Sequence, residues 1–129
     1  MPTAELCPCG SRDAYIACCG PLHTGERPAV TALALMRSRF SAFALGRSDY
    51  LLQTWHPRTR PKGLDLDDAI TWRRLQIVDT VNGTADDTDG IVEFRAQYEH
   101  DGSRHILHER SRFSRSGGKW RYVEADQLS

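Results

Sequence analysis

The sequence predicts an α+β fold, with helices first and an antiparallel sheet second. Three observations carry this. Between Val30 and Leu45 the apolar residues Leu33, Met36, Phe40 and Phe43 recur at steps of three and four, the spacing of one helix face. From Trp72 onward the period changes to two, and in IVEFRAQYEH it puts Val92, Phe94, Ala96 and Tyr98 on one side. The alternating runs are separated by turn dipeptides, Asp101-Gly102 and Gly117-Gly118. Helices followed by hairpin-linked strands give α+β rather than a doubly wound parallel sheet.

The first element is CPCGSRDAYIACCG, residues 7–20, which holds all four cysteines: Cys7, Cys9, Cys18 and Cys19. Four soft ligands on one short loop suit a tetrahedral zinc ion. Gly10 permits a tight turn after Cys9, and Tyr15 can lay its ring against the site. Two disulfides or four free thiols are the alternatives. A loop this small would strain two disulfides.

The remaining elements follow in order. PLHTGERP, residues 21–28, reads as a linker. The first long helix runs from about Val30 to Leu45 and stops at Gly46. Asp49 caps a second helix, DYLLQTW, which Pro57 ends. PRTRPKG is a loop, and LDLDDAI adds a third short helical piece. Four strands come next: TWRRLQIVDTV, IVEFRAQYEH, RHILHERSRFSR and KWRYVEA. NGTADDTDG turns between the first two.

The bulk composition narrows the function. At 129 residues the chain can bury a core without staples. Lys plus Arg equals Asp plus Glu at 17 each, which argues against a dedicated nucleic-acid binder. The N-terminus has no signal-peptide pattern, and no apolar run approaches the roughly 20 residues that span a bilayer. A cytoplasmic protein without a membrane partner is the expectation, and in that compartment disulfides are rare.

CPCGS…Y…CCG resembles the SEC-C motif, the zinc unit at the C-terminus of the SecA motor. The resemblance implies zinc ligation by Cys7, Cys9, Cys18 and Cys19, and a protein partner reached through the motif. The family motif often carries lysines between the cysteine pairs; here there is only Arg12, offset by Asp13. CCGP, MRSRFSAF, TWHP and HERSRF extend the likeness, and the chain is identified as a member of the YchJ family. That membership implies a SEC-C-like motif over residues 1–22. It implies a nuclear transport factor 2-like (cystatin-like) domain over 23–129, in which helices wrap a curved antiparallel sheet around a cavity. Many relatives carry a second motif at the C-terminus, which these residues lack. Sheets of this fold often pair face to face, so a homodimer is expected by analogy.

Within such a cavity, strand parity selects candidates. His105, Leu107, Glu109, Ser111 and Phe113 share one face of the third strand, and its apolar members make it the concave one. Glu109 there needs a partner or a raised pKa. Arg37 and Arg39 lie about 80° to either side of the helix stripe, and one of them is expected to pair with Glu109. Glu109 and His56 are the catalytic candidates. Arg37, Arg39, Trp55, Tyr98, Ser111 and Phe113 are the pocket candidates. Ser111 sits mid-strand, without the elbow a nucleophile needs.

Two functions follow. One is a binding or adaptor protein whose zinc unit docks a partner and whose domain offers a ligand pocket. The other is a small-molecule isomerase or hydrolase using Glu109. A filled cavity with Glu109 locked to an arginine favours the first, and an open cavity with Glu109 unpaired favours the second.

Overall fold

The computed structural model describes residues 5–67 and 69–128. A cysteine-bearing loop leads through a 3-10 turn, Tyr15–Ala17, into α1, Gly20–His23. Two further helices follow, α2 (Ala32–Leu45) and α3 (Ser48–Gln53). The sheet is an antiparallel meander, β1 (Ile70–Asn82), β2 (Asp89–His100), β3 (Ser103–Ser116) and β4 (Lys119–Gln127), in the order β1-β2-β3-β4. None of the helices is long and apolar enough to cross a membrane.

Helix α2 begins two residues later than the periodicity suggests. Thr31 is its N-cap, and the Thr31 hydroxyl accepts the Ala34 N–H at 3.0 Å. Gly46 closes it in the left-handed region at φ 73°. Met36 and Phe40 are buried in the sheet core with Leu75, Val92, Phe94, Ala96, Phe113 and Trp120. The predicted stripe is only part of what α2 buries: Ser38, Arg39, Ser41 and Ala42 are buried as well. This helix is covered on the sheet side and again by the cysteine loop and α3.

Three expectations are corrected. Asp49 does not cap α3. The helix starts at Ser48 with no side-chain cap, and Asp49 stands in its first turn, where a carboxylate complements the helix dipole. Trp55 and His56 lie beyond the helix. The chain there runs parallel to β4, with Tyr122 N–H donating to Thr54 O at 2.8 Å and His56 N–H to Tyr122 O at 2.7 Å. The segment LDLDDAI contains no helix among its described residues. Leu64 and Leu66 instead pack from an extended chain onto the cluster of Ala42, Tyr50 and Leu51. Residue 68 lies outside the described residues. The stretch 21–28 is also more than a linker, since α1 buries His23 within it.

The strand assignments hold in kind and parity. Asp101 and Gly102 both have positive φ, 53° and 77°, as the predicted two-residue turn requires. The β1–β2 register shifts between Trp72 and Arg74 and again between Ile77 and Asp79. Each irregularity bends and twists the sheet. On the outer face of β3, Arg110 and His108 hold Glu93 at 2.7 and 2.8 Å.

The start of α2 meets the β1–β2 hairpin where two glycines touch. A Cβ on Gly90 would lie 2.6 Å from the Gly83 Cα and 3.0 Å from the Ala32 Cβ. Gly90→Ala should therefore cost about 1–3 kcal/mol by overpacking, read as a lower midpoint in urea with an unchanged slope.

Candidate functional site

The cysteine loop closes by local backbone bonds. Cys7 N–H donates to Asp13 O at 2.8 Å and Gly10 N–H to Cys7 O at 3.2 Å, with Gly10 at φ 84°. Leu6 and Ala14 pair across the neck of the loop. The 3-10 turn then delivers Cys18 and Cys19 beside the first pair. All four Sγ atoms lie within 4.8 Å of one another, Cys9 and Cys18 at 3.7 Å and Cys18 and Cys19 at 3.9 Å. Thiolates about 2.3 Å from a shared tetrahedral ion stand roughly 3.8 Å apart, so the donor set fits a metal. These separations are far beyond the roughly 2.05 Å of a disulfide.

The electrostatics of the cluster ask for a cation. The Cys7 thiol is pushed far down by hydrogen bonds from Cys19, Cys9 and Ser41. Cys19 is pushed up by its hydrogen bonds with Cys7 and Cys9 and by burial, and Cys18 by burial. Four thiolates this close are mutually destabilising until a metal ion compensates them. With a metal bound, Cys7, Cys9, Cys18 and Cys19 would hold it in a closed structural site.

Four residues absent from the sequence-derived candidates fasten this loop to α2. Ser41 Oγ lies 3.4 Å from Cys7 Sγ. His23, one helical turn past Cys19, places Nε2 2.8 Å from Ser38 O and Nδ1 2.6 Å from the Tyr15 hydroxyl. A carbonyl only accepts, so Nε2 carries the proton and Nδ1 accepts from Tyr15. Burial holds His23 below its usual pKa, in keeping with a neutral ring. Its ring packs 4.6 Å from that of Tyr50, whose hydroxyl reaches Ser38 Oγ at 2.7 Å. The signal was the i, i+3 spacing of Ser38 and Ser41 and a histidine four residues after Cys19. Arg37 joins the same seam, donating from Nη1 to Cys9 O at 3.0 Å. It therefore does not reach Glu109.

The second feature is a cavity of about 240 Å³ between α2 and the sheet. Met36, Phe40 and Phe43 form one wall, and Trp72, Phe94 and Leu107 the other. Of the sequence candidates, Arg39, Trp55, Glu109 and Ser111 line it. Arg37, His56, Tyr98 and Phe113 do not. Tyr98 stacks outside on His105 and packs beside Trp72, and Phe113 is sealed in the core. His56 is held in a turn, with Nδ1 accepting the Arg58 N–H at 3.1 Å.

The expected Glu109–arginine pair is not formed. Arg39 donates from Nη1 to Leu51 O and Thr54 Oγ1, both at 2.7 Å. Its guanidinium lies 4.6 Å from the Tyr122 ring centre and 5.2 Å from that of Trp55. Burial lowers its pKa to about 10. The reversal at Gly46 folds α3 back over Arg39 and offers it the Leu51 carbonyl and the Thr54 hydroxyl in place of a sheet carboxylate. Glu109 is half-buried, has no ion pair among the described residues, and is pushed up by burial alone. Tyr122 feels both charges: beyond burial, Glu109 raises its pKa and Arg39 lowers it. The Trp55 indole N–H is buried without an acceptor among the described residues.

Two outcomes follow. Ser41→Ala removes a hydrogen bond to a metal-binding sulfur and should weaken metal affinity about 10–100-fold, measured by competition with a chromophoric chelator. For Glu109, a raised folded-state pKa favours the folded state only below the unfolded value, near pH 4. That contribution is lost as pH rises through the folded pKa. Glu109→Gln strands no partner, so it should melt above wild type at pH 7 and level with it near pH 4. A loss of stability at pH 7 would mean that Glu109 has an arginine partner after all.

Comparison with known proteins agrees with this architecture. The SEC-C motif matches residues 4–21, and the description "YchJ, middle NTF2-like domain" matches residues 31–125. A UPF0225 protein of Streptomyces coelicolor is 53% identical over 128 residues, covering 99% of both chains. The solution structure of a SEC-C motif containing protein from Rhodopseudomonas palustris superposes with a TM-score of 0.85 at 32% identity, covering 97% of this chain and 100% of that one. The crystal structure of a SEC-C motif containing protein from Psychrobacter arcticus gives 0.78 at 25% identity, covering 97% and 84%. A SEC-C motif set before an NTF2-like domain, with these relatives along nearly its whole length, makes the chain a member of the YchJ/UPF0225 family.

Proposed function

We propose that this protein binds a small organic molecule in the cavity under α2, and that its cysteine loop holds a structural Zn²⁺. The observation that carries the ligand reading is Glu109, which lines an open cavity without an ion-pair partner among the described residues. An open cavity with Glu109 unpaired is what the isomerase or hydrolase reading calls for, and a filled one with Glu109 locked to arginine is what the adaptor reading calls for. An aromatic-walled cleft with a few polar groups is the usual form of a ligand site. The raised pKa of Glu109 suits proton transfer, but the other ionisable groups lining the cavity are Arg39 and Tyr122, the latter with its own pKa pushed up by burial, so binding is the better supported role. Zinc is favoured by an all-thiolate tetrahedral set, and thiolate ligation fits the reducing cytoplasm. Docking of a protein partner through the loop is a second reading, supported by the exposure there of Leu6 (65%) and Ile16 (77%).

A screen of small organic fragments by ligand-observed NMR tests the ligand reading, run beside Ala96→Leu, which fills the cavity. Fragments should bind wild type and be lost from the variant, whose circular dichroism should be unchanged. Binding indifferent to Ala96→Leu, or none at all, would overturn it.

A further inference from the structure

The arginines of this protein divide in an unexpected way. On the surface, Arg73 pairs with Glu99, Arg110 with Glu93, and Arg112 with Glu124 and Asp126. The most deeply buried one, Arg39, is only 4% exposed and pairs with no carboxylate among the described residues. Burying a cation without a counterion is costly. Two oxygen acceptors and two aromatic rings offset part of that cost. Both hydrogen bonds to protein leave from Nη1, so Nε and Nη2 have no protein acceptor among the described residues. Arg39 lines the cavity, beside Trp55 and Tyr122, over whose rings its guanidinium lies. A planar fork with unspent donors matches a carboxylate, which it can bind through two parallel bonds.

The rest of the cavity says what should be attached to that carboxylate. Phe40, Trp72 and Phe94 present aromatic surface. A cavity of about 240 Å³ lies below the range of roughly 300–1,000 Å³ that holds drug-sized ligands, so the body must be small. We infer that the cavity takes a small apolar monocarboxylate, its carboxylate seated on Arg39 and its aryl or branched alkyl body against Phe40, Trp72 and Phe94. This rests on the cavity being a ligand site. Glu109, which lines the same cavity, would then repel the ligand's carboxylate weakly.

The test uses the full chain and named probes: benzoate, phenylacetate and 4-methylpentanoate, each beside its neutral amide. The acids should bind about tenfold or more tighter than the amides, by calorimetric titration. In ¹⁵N–¹H spectra the Trp55 indole signal, assigned with Trp55→Phe, should move on binding. The Trp120 indole, which donates to Val30 O at 3.1 Å outside the cavity, should stay. Arg39→Gln should remove the preference for acids. Because that variant can fail to fold, Glu109→Gln serves beside it and should tighten the acids several-fold while leaving the amides unchanged. Acids and amides binding equally, with the Trp55 signal moving, would overturn the carboxylate inference and leave the ligand reading intact. Neither class binding would overturn the inference, and the fragment screen would then decide the ligand reading separately.

Discussion

The hydrogen bond from His23 Nε2 to the carbonyl of Ser38 ties the cysteine loop to the middle of α2, and the architecture depends on that tie. A mid-helix carbonyl already serves its own helix; its second lone pair takes the histidine. Ser41 beside Cys7 and Arg37 on the Cys9 carbonyl repeat the tie one residue row away on each side. The effect is to cover the side of α2 that a helix lying on a sheet normally shows to water. That is why a helix with Ser38 and Ser41 near its centre can be buried there, and why each of those hydroxyls has a defined partner.

With the outer side covered, the inner side need not be packed solid. Met36 and Phe40 reach the sheet near the start and middle of α2. Beyond them Phe40 and Phe43 lean on Trp72 at ring distances near 6 Å, and the cavity opens between that contact and Tyr122. Bulges in β1 add to the bend that keeps the sheet away from the helix. The pocket is thus a product of curvature and of a helix secured from behind, and its two charges stay apart because each is satisfied or solvated separately.

The sequence made some of this legible and not the rest, for physical reasons. Parity along β3 placed Glu109 and Ser111 on the cavity side because a period of two leaves no freedom. The metal-binding set was legible because four thiols within thirteen positions have few other uses. The fate of Arg39 was not legible. Helix angle put it at the edge of a stripe, and only the Gly46 reversal, which brings Leu51 and Thr54 over it, decided its partners. Leu64 and Leu66 were misread as helical although their step of two suits the extended chain they form. His23 was passed over because its meaning lies in residues 15 and 38, which no local pattern connects.

Consecutive residues of α2 face opposite ways. Arg37, Ser38 and Ser41 meet the cysteine loop, while Met36, Arg39 and Phe40 meet the cavity. One rigid helix therefore belongs to two sites at once. Thermodynamic reciprocity then applies: whatever a metal contributes to fixing α2, an occupant of the cavity no longer has to supply, and the converse holds by the same amount. Were both filled, the loop and the pocket would be two ends of a single equilibrium, each tightening the other's occupant by the same factor.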